Sequence, residues 1–515
     1  MMNTAVNALS VAFNQTKTQN NANAFKSSND ALVDLFAFGG AMRNHLGSTD
    51  IGQLAVKAFL EDKLAALRIM FYLRDIRGGQ GERDTFRQMI EAISVLDFKV
   101  ISKNLHLVSE YGRWDDLIEF YFNPLLKDDV KKIIETQLQE DIINMLANKP
   151  ISLLGKWMPS VNTSSKETKA KARILCKELG VSEANYRRTL SKLRAHLDIL
   201  ERRMTAKEFD KIDYQHVPSQ AMHKHKKAFS RNDGIRFGKY LNEVSSGKKT
   251  IKSEALYPYQ IIHEMIQTSA LSPFYSFHSK NNIGITEDVI QVWNEQWKAL
   301  PNFITNPEEN SIAVVDVSGS MMLVGPITPM AVAVSIGLYL SERAKGPFAN
   351  KIITFSAEPE LVQVCGNNIL ERAYSIMGSK WGMNTNIEAV FDTILNAAIN
   401  AKMNPKDMIN RIYIVSDMEF DECACNNGKS ILGDSLFRQI RNKYTTVGYD
   451  MPELVFWRVN VINNQVPMTV DDRGIIMVSG LSPSIFKHLM AGEILDAKTI
   501  VNEIVNSERY QAITI

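Results

Sequence analysis

At PNFITNPEENS, residues 301–311, the hydrophobic period of this 515-residue chain changes, and that switch constrains the fold more than any other feature. Before it, apolar residues recur every three or four positions, as in LAVKAFL at 54–60 running on into LAALRIMFYL at 64–73. Almost nothing there alternates with period two, so the stretch reads as helices that each bury one stripe. Further helices are expected at 114–123, 126–147, 165–179, 183–204, 219–229, 258–269 and 285–299, with Pro258 suited to a first turn. After the switch, short apolar runs (SIAVVDV, KIITFSA, LVQVC, RIYIVSD, LVFWRVN, GIIMVSG) alternate with helical stretches such as PITPMAVAVSIGLYLSERA and NIEAVFDTILNAAINA. Buried strands that alternate with helices make a mostly parallel sheet covered on both faces. The expected fold class is therefore α plus α/β. A flexible Asn-rich N-terminus over 1–25 precedes an irregular HEAT-like helical-repeat domain over 26–300, a linker at 301–311 and a Rossmann-like domain over 312–515. Such arrays can also close into rings, and no repeat length here decides that point.

Composition narrows the class. With 45% hydrophobic and 23% charged residues the chain is ordinary globular material, long enough for several cores. Its four cysteines, Cys176, Cys365, Cys423 and Cys425, are too few and scattered for a disulfide framework, and the single CxC has no matching pair for zinc. A reduced, cytoplasmic protein is the expectation (host cytoplasm if the chain is viral). The polar start MMNTAVNALSVAFNQTKTQNNANAF lacks the basic and apolar segments of a signal peptide, and no run approaches the ~18 apolar residues of a membrane span. No membrane partner is expected. The net charge of +2 hides an asymmetry: residues 151–250 hold 22 Lys and Arg against 10 Asp and Glu, whereas the C-terminal third is acidic. That basic region is a candidate polyanion surface.

Three stretches after residue 311 carry oxygen donors to the carboxyl ends of strands, where open parallel sheets bind ligands. Asp316, Ser318 and Ser320 follow SIAVV, the loop GSKWGMNTN offers Thr385, and Asp417 ends RIYIVSD. Two carboxylates and three hydroxyls suit a hard cation, Mg²⁺ or else Mn²⁺ or Ca²⁺, and leave room for a ligand from outside. Helix capping by Asp316, Ser318 and Thr385 is the plain alternative, but it does not account for Asp417. Glu419, Asp421 and Glu422 nearby read as a solvated acidic loop. The five-residue pattern resembles the metal-ion-dependent adhesion site of von Willebrand factor A domains, over roughly 305–515. That resemblance implies direct or ligation-dependent metal contact by the serines and threonine. It also implies aspartates acting through water and an open position that takes a partner's carboxylate.

The helical half carries RDIRGGQGERDTFR, YGRWDDLI, LLGKWMP, YRRTLSKLRAHLDILERRM, DYQHVPSQAM and ALYPYQIIHEM. Followed by an A-type domain, these stretches resemble an uncharacterised family found in plants, bacteria and viruses. Its layout is similar to that of Ro ribonucleoproteins, in which a TROVE-type helical ring carries such a domain, and the likeness implies RNA binding. Independently, Arg187, Arg188, Lys192, Arg194 and Arg202 fall along the predicted helix at 183–204. Lys224, Lys226, Lys227, Arg231 and Arg236 follow, interleaved with Phe229, Phe237 and Tyr240. Cations for phosphates and aromatics for bases are the usual ingredients, and a solvated face balanced by Glu201, Glu208 and Asp210 is the alternative. His216, His223 and His225 read as part of the basic surface. RGGQGERD lacks a following GK[ST], so it reads as a tight inter-helix turn rather than a nucleotide loop. Trp114, Trp157, Trp293 and Trp297 read as core, and Trp381 as the rim of the cation site. No nucleophile with a base, catalytic carboxylate pair or zinc-hydrolase motif is present, so no enzyme is expected. The expectation is a non-enzymatic RNA-binding scaffold whose A-type domain engages a second, carboxylate-offering protein. The alternative is a metal-dependent protein adaptor, such as the partner of a separate MoxR-type AAA+ ATPase, without RNA binding.

Overall fold

The computed structural model describes residues 14–17, 23–44, 50–268, 271, 285–306, 309–322, 326–355, 358–379, 387–418, 434–461, 465–466, 475–489 and 497–515. Helices follow one another up to residue 298: α1 (Ala31–Gly39), α2 (Ile51–Glu61), α3 (Lys63–Arg74), α4 (Arg83–Asn104), α5 (Val108–Tyr111), α6 (Trp114–Phe120) and α7 (Lys127–Leu146). They continue as α8 (Leu154–Trp157), α9 (Lys166–Glu178), α10 (Glu183–His196), α11 (Leu200–Thr205), α12 (Ser219–Ser245), α13 (Pro258–Gln267) and α14 (Glu287–Lys298). Asp30, Asp50, Asp62, Ser165 and Ser182 start their helices by accepting a first-turn amide, the role their short oxygen-bearing side chains favour.

Three expected helices differ in extent. The run at 54–73 is two helices, because Asp62 turns extended and caps α3. The helix expected at 183–204 ends at His196, since Asp198 adopts a φ of +47° and Ile199 is extended, so Arg202 belongs to a separate short helix. The one expected at 219–229 runs on to Ser245 with a kink at Asp233. Within the segment read as a flexible N-terminus, β1 (Gln15–Lys17) pairs antiparallel with β2 (Asn23–Phe25). Phe25 then bridges Val466 through two backbone hydrogen bonds of 2.9 and 2.8 Å.

Beyond residue 310 six strands form one sheet: β3 (Ser311–Asp316), β4 (Lys351–Phe355), β5 (Leu361–Gln363), β6 (Arg411–Ser416), β7 (Glu453–Arg458) and β8 (Ile475–Ser479). Their order is β5–β4–β3–β6–β7–β8, parallel apart from β5. The helices of this part are α15 (Pro329–Ser341), α16 (Ile369–Met377), α17 (Ile387–Asn400), α18 (Asp434–Thr446), α19 (Phe486–Leu489) and α20 (Ala497–Asn506). Strands β3, β6 and β8 are buried along their whole length, which is why they read as unbroken apolar runs. No helix among the described residues is long and apolar enough to cross a membrane.

One hydrophobic core runs through both parts. Every residue of α15 is buried, and it lies between β3 and α13 of the helical part. Gly337 makes the close approach possible, since a Cβ there would lie 2.4 Å from Cγ2 of Val315. The RGGQGERD stretch is the tight turn expected, and it also docks the two parts. A Cβ at Gly79 would fall 1.8 Å from the Tyr72 carbonyl oxygen, so only glycine fits there. Buried Asp75 takes the Arg509 guanidinium at 2.7 Å and the Tyr510 hydroxyl at 3.1 Å. The Ser484 hydroxyl donates to the Gly79 carbonyl at 2.9 Å, and Asn104 exchanges two hydrogen bonds with Thr514 at 2.7 and 3.1 Å.

Candidate functional site

The pairing of β3 with β6 builds the candidate cation site. Val315 is registered with Val415, so Asp316 and Ser416 leave their strands side by side and Asp417 follows at once. Both carboxylates are buried, Asp316 at 3% and Asp417 at 2% exposure. Oδ1 of Asp316 accepts the Ser318 amide at 2.9 Å, which curls the loop back on itself. Oδ2 accepts the Ser416 hydroxyl at 2.6 Å. The Ser318 and Ser320 hydroxyls stand 3.0 Å apart on a 3₁₀ turn pinned by buried Met321. Neither Asp316 nor Ser318 caps α15, which starts at Pro329 behind Thr328, so capping of that helix does not explain them. A buried carboxylate pair beside two partly exposed hydroxyls fits a small hard cation in donor type. Thr385, Trp381, Glu419, Asp421 and Glu422 lie outside the described residues. Among the described residues no group of three or more His, Cys, Asp or Glu gathers at metal-binding spacing, and Cys423 and Cys425 lie outside them.

The helical part encloses a cleft of about 1250 Å³. All six stretches quoted above reach its wall, among them through Arg83, Arg113, Trp157, Arg203, His216 and Tyr259. On one side Asp116, fully buried, binds Arg74 at 2.5 Å and Arg87 at 2.9 Å. Asp115 holds Arg113 at 3.1 Å and Arg83 at 3.8 Å. The Arg113 guanidinium carbon lies 4.4 Å from the Trp157 ring centre, a cation–π contact. Deeper in, Arg43 pairs with Glu82 at 2.7 Å and donates to the Tyr259 hydroxyl at 2.5 Å. Burial pushes the Glu82 carboxyl up, and the Arg43 charge opposes that. The Tyr257 ring stacks on Tyr259 at 6.0 Å, and its buried hydroxyl finds no hydrogen-bond partner among the described residues.

Two family descriptions match the chain. Residues 18–120 and 116–306 match "Domain of unknown function (DUF2828)", and residues 310–513 match "Domain of unknown function (DUF7788)". An Acanthamoeba polyphaga mimivirus protein named "Uncharacterized protein L728" is 30% identical over 527 residues, covering 93% of this chain and 85% of its own. The chain belongs to the DUF2828 family.

Of the ten cations singled out in this DUF2828 protein, three have internal work. Arg194 ties down the segment beneath it, donating to the Gly155 and Met158 carbonyls at 2.8 and 2.6 Å and to Ser160 at 2.7 Å. Lys226 is 1% exposed and bonds Glu264 at 2.5 Å, so burial lowers its pKa. Arg236 binds Asp233 and the Phe209 and Ile212 carbonyls over the Tyr214 ring. Arg187, Arg188, Lys192, Arg202, Lys224, Lys227 and Arg231 are exposed on α10, α11 and α12. Phe229, Phe237 and Tyr240 are not a stacking platform but a small core of their own. His223 is not surface either: burial, then Lys226, pushes it down to about 4. Trp293 and Trp297 are core as expected, whereas Trp157 faces the cleft. Sequence reasoning missed Ser416 and the Arg113–Trp157 pair. The arginine-rich RDIRGGQGERD and YGRWDDL stretches were the available signal for the latter.

Proposed function

We propose that this DUF2828 protein is a non-enzymatic RNA-binding scaffold. Its helical, HEAT-like part contacts RNA, and its C-terminal part, read as a von Willebrand A-type domain, engages a second partner through a divalent cation. One observation carries the RNA reading: seven cations on α10–α12 are exposed to solvent, and three of the nearby acids pair with cations outside that set. Glu208 pairs with Lys211 at 2.8 Å, Asp198 with Arg203 at 2.6 Å, and Glu201 with Lys156 at 3.9 Å. Cations held ready in this way bind phosphates and release their counterions. Asp316, Ser318, Ser320 and Asp417, with Thr385, would hold Mg²⁺ (or Mn²⁺ or Ca²⁺), which supplies a coordination position for a partner's carboxylate. Ser416 keeps Asp316 oriented, and the Ser318 amide fixes its other oxygen.

The test measures binding of an unstructured RNA to the full chain across salt. The variant Arg187→Ser/Arg188→Ser/Lys192→Ser is expected to flatten the log–log salt dependence by about 2, as ~0.7 per phosphate contact implies. Asp316→Ala/Asp417→Ala is expected to leave RNA affinity unchanged and to abolish Mg²⁺-dependent protein capture. Absent or salt-insensitive RNA binding, with protein capture still lost in EDTA, would overturn the scaffold in favour of a metal-dependent adaptor.

A further inference from the structure

We infer that the cleft wall made by Arg83, Arg113 and Trp157 is a nucleotide subsite, with a phosphate on the guanidinium groups and a base against the indole. This deepens the RNA reading and rests on it for the source of the ligand. The argument begins with charge. Arg74, Arg83, Arg87 and Arg113 converge on two carboxylates, Asp115 and Asp116. Buried Arg74 and partly exposed Arg87 take up Asp116, so Arg83 and Arg113 have only Asp115, which Arg87 also reaches at 3.7 Å. Arg83 is the looser of the two at 3.8 Å, with 43% of its side chain exposed. Two forked donors with one acid between them are short of an anion, and a phosphate's oxygens match that geometry.

The ring beside them extends the match. Trp157 is partly buried, with Arg113 at 4.4 Å and Lys156 at 5.8 Å from its ring centre, and it presents the indole as a plate on the cleft wall. A flat ligand stacks on such a plate, and a plate next to a phosphate fork selects a ligand that carries both groups. The floor agrees. The first turn of α4 opens into the cleft at Arg83, Asp84 and Thr85, and its Glu82 carboxylate serves Arg43 instead of capping the helix. Beside that turn the buried Tyr257 hydroxyl is a donor without a partner among the described residues. Asp84, like Glu82 and Glu201, is an opposing charge among the residues that line the cleft. The volume also bears on the ligand: about 1250 Å³ exceeds the ~300–1,000 Å³ of a single small-molecule pocket. Several linked nucleotides fill it better than one does.

The experiment uses the full chain and a fluorescein-labelled ten-residue oligouridylate, with AMP, adenosine and inorganic phosphate as competitors. AMP is expected to displace the probe at lower concentration than adenosine or phosphate, because only AMP carries both recognised groups. Trp157→Leu and Arg113→Gln are each expected to weaken oligouridylate and AMP binding about 10-fold, with Trp157→Phe restoring most of it. Melting temperature is recorded for each variant, and Trp157→Phe separates lost stacking from lost structure. Suppose the oligouridylate binds, but with wild-type affinity in Trp157→Leu and Arg113→Gln and weakly in Arg187→Ser/Arg188→Ser/Lys192→Ser. The subsite is then overturned and the scaffold reading stands. If neither oligouridylate nor AMP binds, both fall. Displacement of the probe by an oligoglutamate peptide but not by AMP also overturns the subsite, in favour of an acidic protein ligand.

Discussion

His223 and His488 are two side chains whose chemistry the fold has reversed. Burial pushes both down to about 4, helped by Lys226 beside the first and Lys487 beside the second. His488 meets Tyr72 edge-on at 5.8 Å, so it stands at the seam between the two parts of the molecule. The folded protein keeps both rings neutral, whereas the unfolded chain takes up protons below pH ~6.5. The unfolded state therefore binds more protons between about 6.5 and 4, and stability falls as pH is lowered through that window, by roughly 3 kcal/mol per ring at most. Urea midpoints measured from pH 7 to 4.5 are expected to drop less steeply in His488→Gln than in the native chain, and an identical slope would refute the assignment. Neither histidine could be read this way beforehand, because HKHKK at 223–227 looks like surface until Glu264 and Trp293 are folded against it. The same holds for Lys226, Arg194 and Arg236, whose partners include carbonyls and acids that only folding brings to them. Asp316, Ser318 and Ser320 were legible, since their spacing after a buried strand is a local fact. Ser416 was not, because its role depends on β3 and β6 pairing across a hundred residues.

Elements were easier to read than their limits. Strands β3, β6, β7 and β8 announce themselves by apolar runs, and the helices by period. The break at Asp62 was hidden because Glu61–Asp62–Lys63 interrupts the backbone without disturbing the apolar spacing on either side. α16 and α20 were missed. Each is short, and its buried stripe shows only once the sheet beneath it is known. Gly337 lies within α15, and its value is likewise contextual, because it is the point where that helix touches β3. Gly337→Ala is expected to destabilise by about 1–2 kcal/mol, the overpacking cost exceeding the ~1 kcal/mol gained in helix propensity. Combining it with Val315→Ala removes the clashing methyl. Thermal melts should show the double variant losing less than the sum of the two single changes, and additive losses would mean the two residues do not meet as described.

Across the whole molecule, a sequence that reads as two domains folds with its larger core continuous across both parts. The joint includes α13 on α15, α1 on β8, α20 on α3, the turn at 75–82 and the segment after Val505. Arg68 donates to the Val505 carbonyl at 3.0 Å, and Arg509 neutralises fully buried Asp75. Removing that guanidinium leaves a carboxylate sealed without its cation. Arg509→Ala is expected to cost about 2–3 kcal/mol, below the ~3–5 kcal/mol of a sealed pair because the Arg509 side chain is 37% exposed. Calorimetry should record a single transition for the native chain and for Arg509→Ala, shifted down in the variant. Two resolved transitions in the native protein would mean that the parts melt independently. The span between Asp75 and Arg509, 434 residues, also sets a clock on biosynthesis. At ~5–20 residues per second, a ribosome takes roughly 20–90 s to deliver the arginine after the aspartate. Through that interval the nascent helical array carries a bare anion in its RDIRGGQGERD turn, and the turn closes only once Arg509 has been translated.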